Sequence, residues 1–251
     1  MSFFDKMRAA LDFADAQRMK KRPFCSVIVP AAGNSSRMNG PDKLFEDLNG
    51  MPVLARTLKA VNDCEFVDEI VIPARSDTVG RIASMMTAYG LNKISRIIPG
   101  GETRTESVRI ALSECSREAV LIAIHDGARP LASSELIGRC IRSAIQTRAC
   151  IAAVPVKDTI KETSGDVISA TPARETLYAA QTPQVFDAAL LKAAYEKAAE
   201  ENKTYTDDAS VVEALGKHVY ICTGSYRNIK ITDPDDLRIA ALLLEADDDA
   251  L

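Results

Sequence analysis

The stretch SVIVPAAGNSSRM, residues 26–38, decides the fold of this chain. It begins with a continuous apolar run, residues 26–30, which is typical of a strand buried on both faces of a sheet. A loop of small residues follows the run, and Arg37 and Lys43 add two positive charges there. Ligands of parallel sheets bind beyond the carboxyl ends of the strands, so this loop is the first candidate site.

Outward from this stretch, short apolar runs alternate with helical patterns. The runs EIVIPA, ISRIIP, AVLIAI and CIAAVPV are separated by patterns such as VLARTLKAV and SELIGRCIRSAIQ. Residues 119–124 are continuously apolar, as residues 26–30 are, and predict a second central strand. The alternation predicts an α/β fold with a mostly parallel sheet covered by helices.

The domain organisation follows from length and from breaks in this rhythm. A chain of 251 residues, 47% of them hydrophobic, can bury one full core, so we expect a helical extension at residues 1–22 and a single domain at 23–251. Residues 155–184 carry two polar runs around Gly165, which predict a protruding hairpin outside the core, with an arm at about 157–176. The last helix is expected from Pro234 to about Leu244, before a frayed acidic end.

Composition excludes several function classes. The net charge of −4 argues against general nucleic-acid binding, and no apolar run reaches the roughly 18 residues of a membrane span. Six scattered cysteines and two histidines give no zinc-ligand spacing. Because the cysteines fall in apolar runs, we expect reduced, buried thiols and a cytoplasmic protein.

Three loops carry residues suited to chemistry. In PAAGNSSRM, small residues allow backbone N–H groups to approach a phosphate, and its single glycine fits neither GxGxxG nor a P-loop. In HDGARP, residues 125–130, Asp126 is a candidate Mg²⁺ ligand or a turn former, and His125 is interpreted as structural. GGETRTESV, residues 100–108, opens a helix, where it encloses a base and ribose or only caps the helix.

These loops, with PVKDTIKE, QTPQVF, TDDASVVE and NIKITDPDDL, closely resemble the motifs of the 2-C-methyl-D-erythritol 4-phosphate cytidylyltransferase family of isoprenoid synthesis. The resemblance runs from about Ser26 to about Leu244. It implies a Rossmann-like three-layer α/β/α nucleotidyltransferase fold with a β-arm used in dimerisation, and hence a homodimer. It also implies that CMP is transferred from CTP to 2-C-methyl-D-erythritol 4-phosphate with Mg²⁺, and that pyrophosphate is released.

The same resemblance assigns roles to single residues. The catalytic cations are Arg37, Lys43 and Lys230. The nucleotide-binding residues are Pro30, Ala31, Ala32, Gly33, Asn34, Ser35, Gly101, Glu102, Ser107, Asp126 and Ala128, and Asp126 is also the metal ligand. The acceptor is bound by Arg129, Thr159, Arg174, Thr182, Thr206 and Lys230, with Thr159 and Arg174 supplied by the partner's arm. Ser35, Glu102 and the residues around Lys43 depart from the usual family pattern.

Other functions fit parts of this pattern. A ribitol 5-phosphate cytidylyltransferase has a similar fold, CTP loop and arm, and differs in the alcohol that it recognises. In a sugar-1-phosphate or molybdenum-cofactor nucleotidyltransferase, GGETRTESV and the lysine of NIKIT would be out of place. A non-catalytic nucleotide-binding module would keep the phosphate loop and lose the reaction.

Overall fold

The apolar run that opens the chain's domain forms strand β1, Cys25–Ile28, and all four of its residues are buried. The structure, a computed structural model, describes residues 22–33, 42–201, 203 and 205–248. Strand β1 pairs in parallel with one strand on each side, so neither of its edges is open. The central position predicted for this run is confirmed.

Seven strands form the main sheet in the order β11-β7-β10-β6-β1-β4-β5. Their bounds, with the short hairpin β2–β3 and the arm hairpin β8–β9, are β2 Asp47–Leu48, β3 Met51–Pro52, β4 Glu69–Ala74, β5 Ile94–Pro99, β6 Leu121–Ile124, β7 Ala149–Pro155, β8 Glu162–Ser164, β9 Val167–Ala170, β10 Tyr178–Asp187 and β11 Tyr220–Thr223. Six of the seven strands run in one direction and β10 runs against them. The predicted mostly parallel sheet is confirmed.

Helices cover both faces of this sheet. They are α1 Val53–Asp63, α2 Val79–Ala88, α3 Arg104–Glu114, α4 Ser134–Thr147, α5 Ala188–Glu200, α6 Asp208–Glu213 and α7 Pro234–Asp248. Buried residues of α1, α2, α4 and α7 pack in one core cluster, and buried residues of α3, α5 and α6 pack in another. Successive side chains of β1 point to opposite faces of the sheet, so Val27 packs in the first cluster and Ile28 in the second. The result is three layers, α/β/α.

Strand β10 corrects the expectation that residues 155–184 lie outside the core. Tyr178–Asp187 forms ten residues of the main sheet, antiparallel to both β6 and β7. Its polar residues Gln181, Thr182 and Gln184 are buried, which gives the strand no apolar signature in the sequence. Hydrogen bonds compensate for the burial, since the Gln184 side-chain amide donates to Asp207 (2.9 Å) and Asn228 donates to the Thr182 carbonyl (2.8 Å).

The arm is a two-stranded hairpin, as the sequence predicts. Strands β8 and β9 pair antiparallel around Gly165, whose φ of +59° a residue with a Cβ adopts only with strain. Every residue from 157 to 171 is exposed. This hairpin therefore projects away from both core clusters.

The chain ends differ in part from expectation. Helix α7 continues to Asp248, beyond the predicted end near Leu244, so the first acidic residues after Leu244 extend the helix. The predicted extension at residues 1–22 lies outside the described residues except for Arg22, which pairs with Asp68. All six cysteines are buried and free of disulfide bonds. Within the described ranges, no helix has the length and apolar character to cross a membrane.

Candidate active site

A cleft with a cavity volume of about 150 Å³, partly open to solvent, lies at the carboxyl ends of β1, β5 and β6. It is where a parallel sheet is expected to bind ligands. The described residues that line it are Pro30, Ala32, Gly33, Lys43, Leu44, Gly101, Glu102, Thr103, Arg104, Ser107, Asp126, Gly127, Ala128 and Lys230. The described parts of the three loops singled out from the sequence therefore meet in one cleft.

The first wall is the beginning of the loop after β1. The Ala31 N–H donates to the Pro73 carbonyl (2.8 Å), so this segment continues the pairing with β4 beyond β1 itself. Pro30, Ala32 and Gly33 line the cleft, whereas the Ala31 side chain is buried in the core cluster. Residues 34–41, with Asn34, Ser35 and the catalytic candidate Arg37, lie outside the described residues.

The second wall is the turn from β5 into α3. The Ser107 hydroxyl accepts the Gly101 N–H (3.0 Å) and donates to the Thr103 carbonyl (2.9 Å), which folds the turn against the helix. A Cβ on Gly100 would collide with the Ala32 side chain, so the two walls approach this closely only with glycine there. Thr103 caps α3 by accepting the Glu106 N–H (3.1 Å). The helix cap predicted for GGETRTESV is confirmed and lines the cleft, and the binding of a base and ribose there stays a prediction.

Asp126 lies at the floor of the cleft among three cations. Its carboxylate is 2.8 Å from the Lys230 ammonium, 3.3 Å from the Arg104 Nε and 3.7 Å from the Arg129 Nε. Burial raises the pKa of Asp126, but Arg104 and Lys230 together outweigh it, and the net pKa lies well below the usual range. Asp126 is therefore ionised at any pH near neutrality.

Distant segments hold this floor in place. The Ile231 N–H donates to the Ala128 carbonyl (2.8 Å), and the Arg129 Nη1 donates to the Asn228 carbonyl (2.7 Å). These two bonds join NIKIT to HDGARP, which explains why Lys230 reaches Asp126. On the other side, the hydroxyl of Thr57, in α1, donates to the Gly127 carbonyl (2.9 Å).

Thr182 and His125 lie behind Asp126, outside the cleft lining. The buried Thr182 hydroxyl accepts the Asp126 N–H (3.0 Å) and lies 3.1 Å from the His125 Nδ1. Burial lowers the pKa of His125 to about 4, so its ring is neutral at pH 7. The structural role inferred for His125 agrees with this placement. Thr182, assigned to the acceptor, supports Asp126 in this structure.

Three other acceptor candidates stand apart from the cleft. Thr159 and Arg174 lie on the arm and are exposed, and the Arg174 Nη1 donates to the Lys157 carbonyl at the base of the arm (3.0 Å). Thr206 is exposed just before α6. None of the three is among the described residues that line the cleft.

The model of the 2-C-methyl-D-erythritol 4-phosphate cytidylyltransferase family matches residues 25–246 of the sequence. The chain belongs to this family. The enzyme of this name from Halalkalibacterium halodurans is 42% identical over 220 residues, 87% of this chain and 96% of that protein. The one from Symbiobacterium thermophilum is 43% identical over 223 residues, 88% of this chain and 92% of that protein.

Solved structures agree with this assignment. The 4-diphosphocytidyl-2C-methyl-D-erythritol synthase from Anaerococcus prevotii superposes with a TM-score of 0.81 at 34% identity, covering 90% of this chain and 100% of that one. The 2-C-methyl-D-erythritol 4-phosphate cytidylyltransferase from Thermus thermophilus gives 0.73 at 32% identity, covering 87% and 98%. The fold inferred from the motifs is therefore the fold of the cytidylyltransferase family.

Arg104 lies in the motif GGETRTESV, and the sequence predicted no role for it. The Arg104 guanidinium lines the cleft, contacts Asp126 and donates two hydrogen bonds to the buried Asp208, at 3.2 and 2.7 Å. One signal was available in the sequence. A cation in the first turn of a helix opposes the helix dipole, so an arginine placed there indicates a specific partner.

The floor of the cleft offers one carboxylate that could bind Mg²⁺, that of Asp126. Among the residues that the structure describes, no group of three His, Cys, Asp or Glu side chains could hold a metal. Among the described lining residues, Glu102 and Asp126 carry carboxylates, and that of Asp126 lies on the floor, where its Oδ1 accepts a hydrogen bond from Arg104 and keeps lone-pair capacity. This suits Mg²⁺, which binds through one or two carboxylates while substrate phosphates supply other ligands.

Proposed function

We propose that this protein transfers CMP from CTP to 2-C-methyl-D-erythritol 4-phosphate and releases pyrophosphate. One observation carries the proposal: a glycine-lined cleft at the carboxyl ends of the strands holds Lys43, Arg104, Lys230 and an ionised Asp126. Such a cleft suits a polyphosphate, since fixed cations stabilise charge that develops at phosphorus. The family's name supplies the base and the acceptor.

The chemistry needs little from the protein beyond placement and charge. The second pKa of a phosphate monoester is about 6, so the acceptor is already a nucleophilic anion at neutral pH. Its oxygen attacks the α-phosphorus of CTP, the bond from the α-phosphorus to the bridging oxygen breaks, and pyrophosphate leaves with those electrons. No general base is required, which agrees with a neutral, buried His125.

Three cations stabilise this transfer in the proposed mechanism. Lys43 and Lys230 line the cleft, and Arg37 follows the described part of the phosphate loop in the sequence. Asp126 would hold Mg²⁺, which supplies charge neutralisation at the phosphate oxygens when it is bound. Asp126 also fixes the Lys230 ammonium 2.8 Å away, so that this cation faces the cleft before substrate arrives.

The second wall is proposed to bind the base. We infer that Gly101, Glu102 and Ser107 contact the cytosine, while Pro30, Ala32, Gly33 and Ala128 surround the phosphates and ribose. Backbone N–H groups at the first turn of α3 favour an anionic or carbonyl ligand. The Ser107 hydroxyl already bonds to the backbone, so it fixes the shape of this wall.

The acceptor site is proposed to be shared between two subunits. Arg129, Thr182, Thr206 and Lys230 belong to the main domain, and Thr159 and Arg174 come from the arm. The exposed hairpin supports this, because Val167 and Ile168 present apolar side chains to solvent at 70% and 58% exposure. A second copy of the chain would cover them and complete the acceptor site, which makes the protein a homodimer.

A cytoplasmic location belongs to the same proposal. Six free cysteines are buried in apolar surroundings, and burial raises the pKa of Cys25 and Cys115 above the usual thiol range. Such thiols suit a reducing compartment.

A pyrophosphate-release assay tests the proposed function. The protein is incubated with CTP and Mg²⁺ together with 2-C-methyl-D-erythritol 4-phosphate, ribitol 5-phosphate or no acceptor, and with ATP, GTP or UTP in place of CTP. We expect release with CTP and the first acceptor only. Preference for ribitol 5-phosphate would replace the acceptor and keep the mechanism. CTP binding without release with either acceptor would indicate a non-catalytic module.

A further inference from the structure

We propose that Arg104 is a positioning residue, which fixes the cleft floor relative to the start of α6 through a chain of contacts from Asp126 to Arg104 to Asp208. The proposal deepens the proposed function and rests on it, since it concerns the same transfer. It explains how the nucleotide side of the site and the segment carrying Thr206, two residues before Asp208, keep one geometry.

The Arg104 side chain joins two carboxylates from different elements. Its Nη1 and Nη2 donate to the two oxygens of Asp208, and its Nε donates to Asp126 at 3.3 Å. The guanidinium is planar and rigid, so two carboxylates bound to one fork are fixed relative to each other. Three of its five N–H groups are committed to protein carboxylates, which favours an indirect role.

Asp208 is a buried partner that is also held by a second element. Its side chain is 0% exposed, and the Tyr195 hydroxyl, from α5, donates to it at 2.6 Å. The Ala209 N–H donates to the Gln184 side chain (2.9 Å), and the same side chain donates to Asp207. The start of α6 is thereby tied to both α5 and β10.

Strand β10 also connects the start of α6 to the cleft floor. It carries Gln184, which binds the start of α6, and Thr182, which accepts the Asp126 N–H. Asp126 is therefore held from two sides, by Arg104 at its side chain and through β10 at its backbone. Removing Arg104 breaks the contact to the Asp126 side chain and leaves the hydrogen bond from the Asp126 backbone to β10 intact.

The energetics also favour a positioning role over simple stabilisation. Arg104 starts α3, where the helix dipole disfavours a cation, and Asp208 has lost all contact with water. Buried ion pairs often stabilise a protein no better than apolar residues of similar volume would. What this pair supplies beyond an apolar contact is a directional link between two segments of the site.

The test is a double-mutant cycle on Arg104→Gln and Asp208→Asn. We measure kcat and both KM values for the wild type, the two single variants and the double variant. Arg109→Gln is the matched control, because Arg109 is exposed on the same helix. Each single variant should lower kcat on the order of 10- to 100-fold, while KM for CTP changes less than about 3-fold. The double variant should fall no further than the worse single variant.

Arg104→Lys distinguishes a loss of positioning from a loss of folding. It keeps the charge beside Asp208 but cannot form the two parallel hydrogen bonds of the guanidinium. It should unfold cooperatively near the wild-type temperature and still lose about 10-fold in kcat. Wild-type kcat in this variant, or a lowered melting temperature as its only defect, would overturn the proposal. A loss of kcat in the double variant equal to the product of the two single losses would also overturn the proposal, because the two residues would then act independently.

Calorimetric titration with CTP and Mg²⁺ gives a readout that does not depend on turnover. Affinity should agree within about 3-fold among the wild type, Arg104→Gln and Asp208→Asn. A loss beyond about 10-fold confined to Arg104→Gln would mean direct contact with the nucleotide and would refute the positioning role. An inactive wild type would refute the proposed function, whereas an active wild type with unchanged kcat in both single variants would refute the positioning role alone.

Discussion

The cleft and the arm of this protein are built on opposite principles. In the cleft, each charged group of the floor is held by others: Asp126 contacts Lys230, Arg104 and Arg129, and Arg104 in turn contacts Asp208. On the arm, residues 157–171 are exposed throughout. The difference teaches that the charged groups of the floor are preorganised within one chain, whereas the arm's side chains face solvent.

The difference matters for function because ordering a side chain costs conformational entropy. A lysine held by a buried carboxylate has already lost its rotamer freedom before substrate binds, so binding does not incur that cost again. An isolated two-stranded hairpin is marginally stable in water, and the arm meets no core cluster that could cover it. The second subunit of the proposed homodimer would supply a surface on which it docks.

The largest effect is expected at the cleft, from Lys43→Ala. If the cleft is preorganised for the transition state, kcat should fall about 100- to 1000-fold with a much smaller rise in KM for CTP. Steady-state kinetics with CTP as the varied substrate measure both. Lys59→Ala is the control, since Lys59 pairs with Asp63 on the surface of α1. An unchanged kcat would remove Lys43 from the catalytic set.

Acid should destabilise the folded protein through His125, which lies behind the cleft floor. The pKa of His125 is about 4 in the folded protein and 6.5 in the unfolded chain, so below pH 6.5 only the unfolded chain gains this proton. Stability should therefore fall by up to about 3 kcal/mol as the pH drops from 6.5 to 4. Urea unfolding of the wild type and of His125→Asn across this range measures the effect. Equal pH slopes in the two proteins would exclude His125 as the cause.

The proposed docking of the arm on a second subunit predicts complementation. Arg174→Ala and Lys43→Ala should each be nearly inactive, with Arg174→Ala losing roughly 10- to 100-fold in kcat/KM. After the two variants are mixed and allowed to exchange subunits, half of the dimers are mixed, and each has one intact site if the arm acts in trans. Activity should then recover to about a quarter of the wild-type value. No recovery, with exchange verified, would mean that the arm serves its own chain.

The smallest effect is expected from polar substitution of the arm. Val167→Ser and Ile168→Ser remove apolar area that lies outside the core, so the unfolding temperature of the monomer should hardly change. If a second subunit covers these residues, the dimer should dissociate about 10-fold more readily per substitution. Sedimentation across a dilution series measures this, with Thr163→Ser on β8 as the control.

Local sequence features determined much of this protein. The apolar runs at β1 and β6, the positive φ at Gly165, the cap at Thr103 and the cysteines in apolar runs each follow from a few neighbouring residues. The motif order led to the correct family, and Asp126 and Lys43 were singled out from the loops that hold them. These features are predictable because strand burial, turn geometry and helix capping depend on residues close in the chain.

The tertiary structure alone decided how those pieces combine. It inserted β10 antiparallel between β6 and β7, although its buried Gln181, Thr182 and Gln184 gave no apolar pattern. It also brought Lys230 to Asp126 and Arg104 to Asp208, across long stretches of chain. Contacts of this kind depend on the order of strands in the sheet and on which buried polar groups find partners. Neither property can be read from the spacing of residues along one segment.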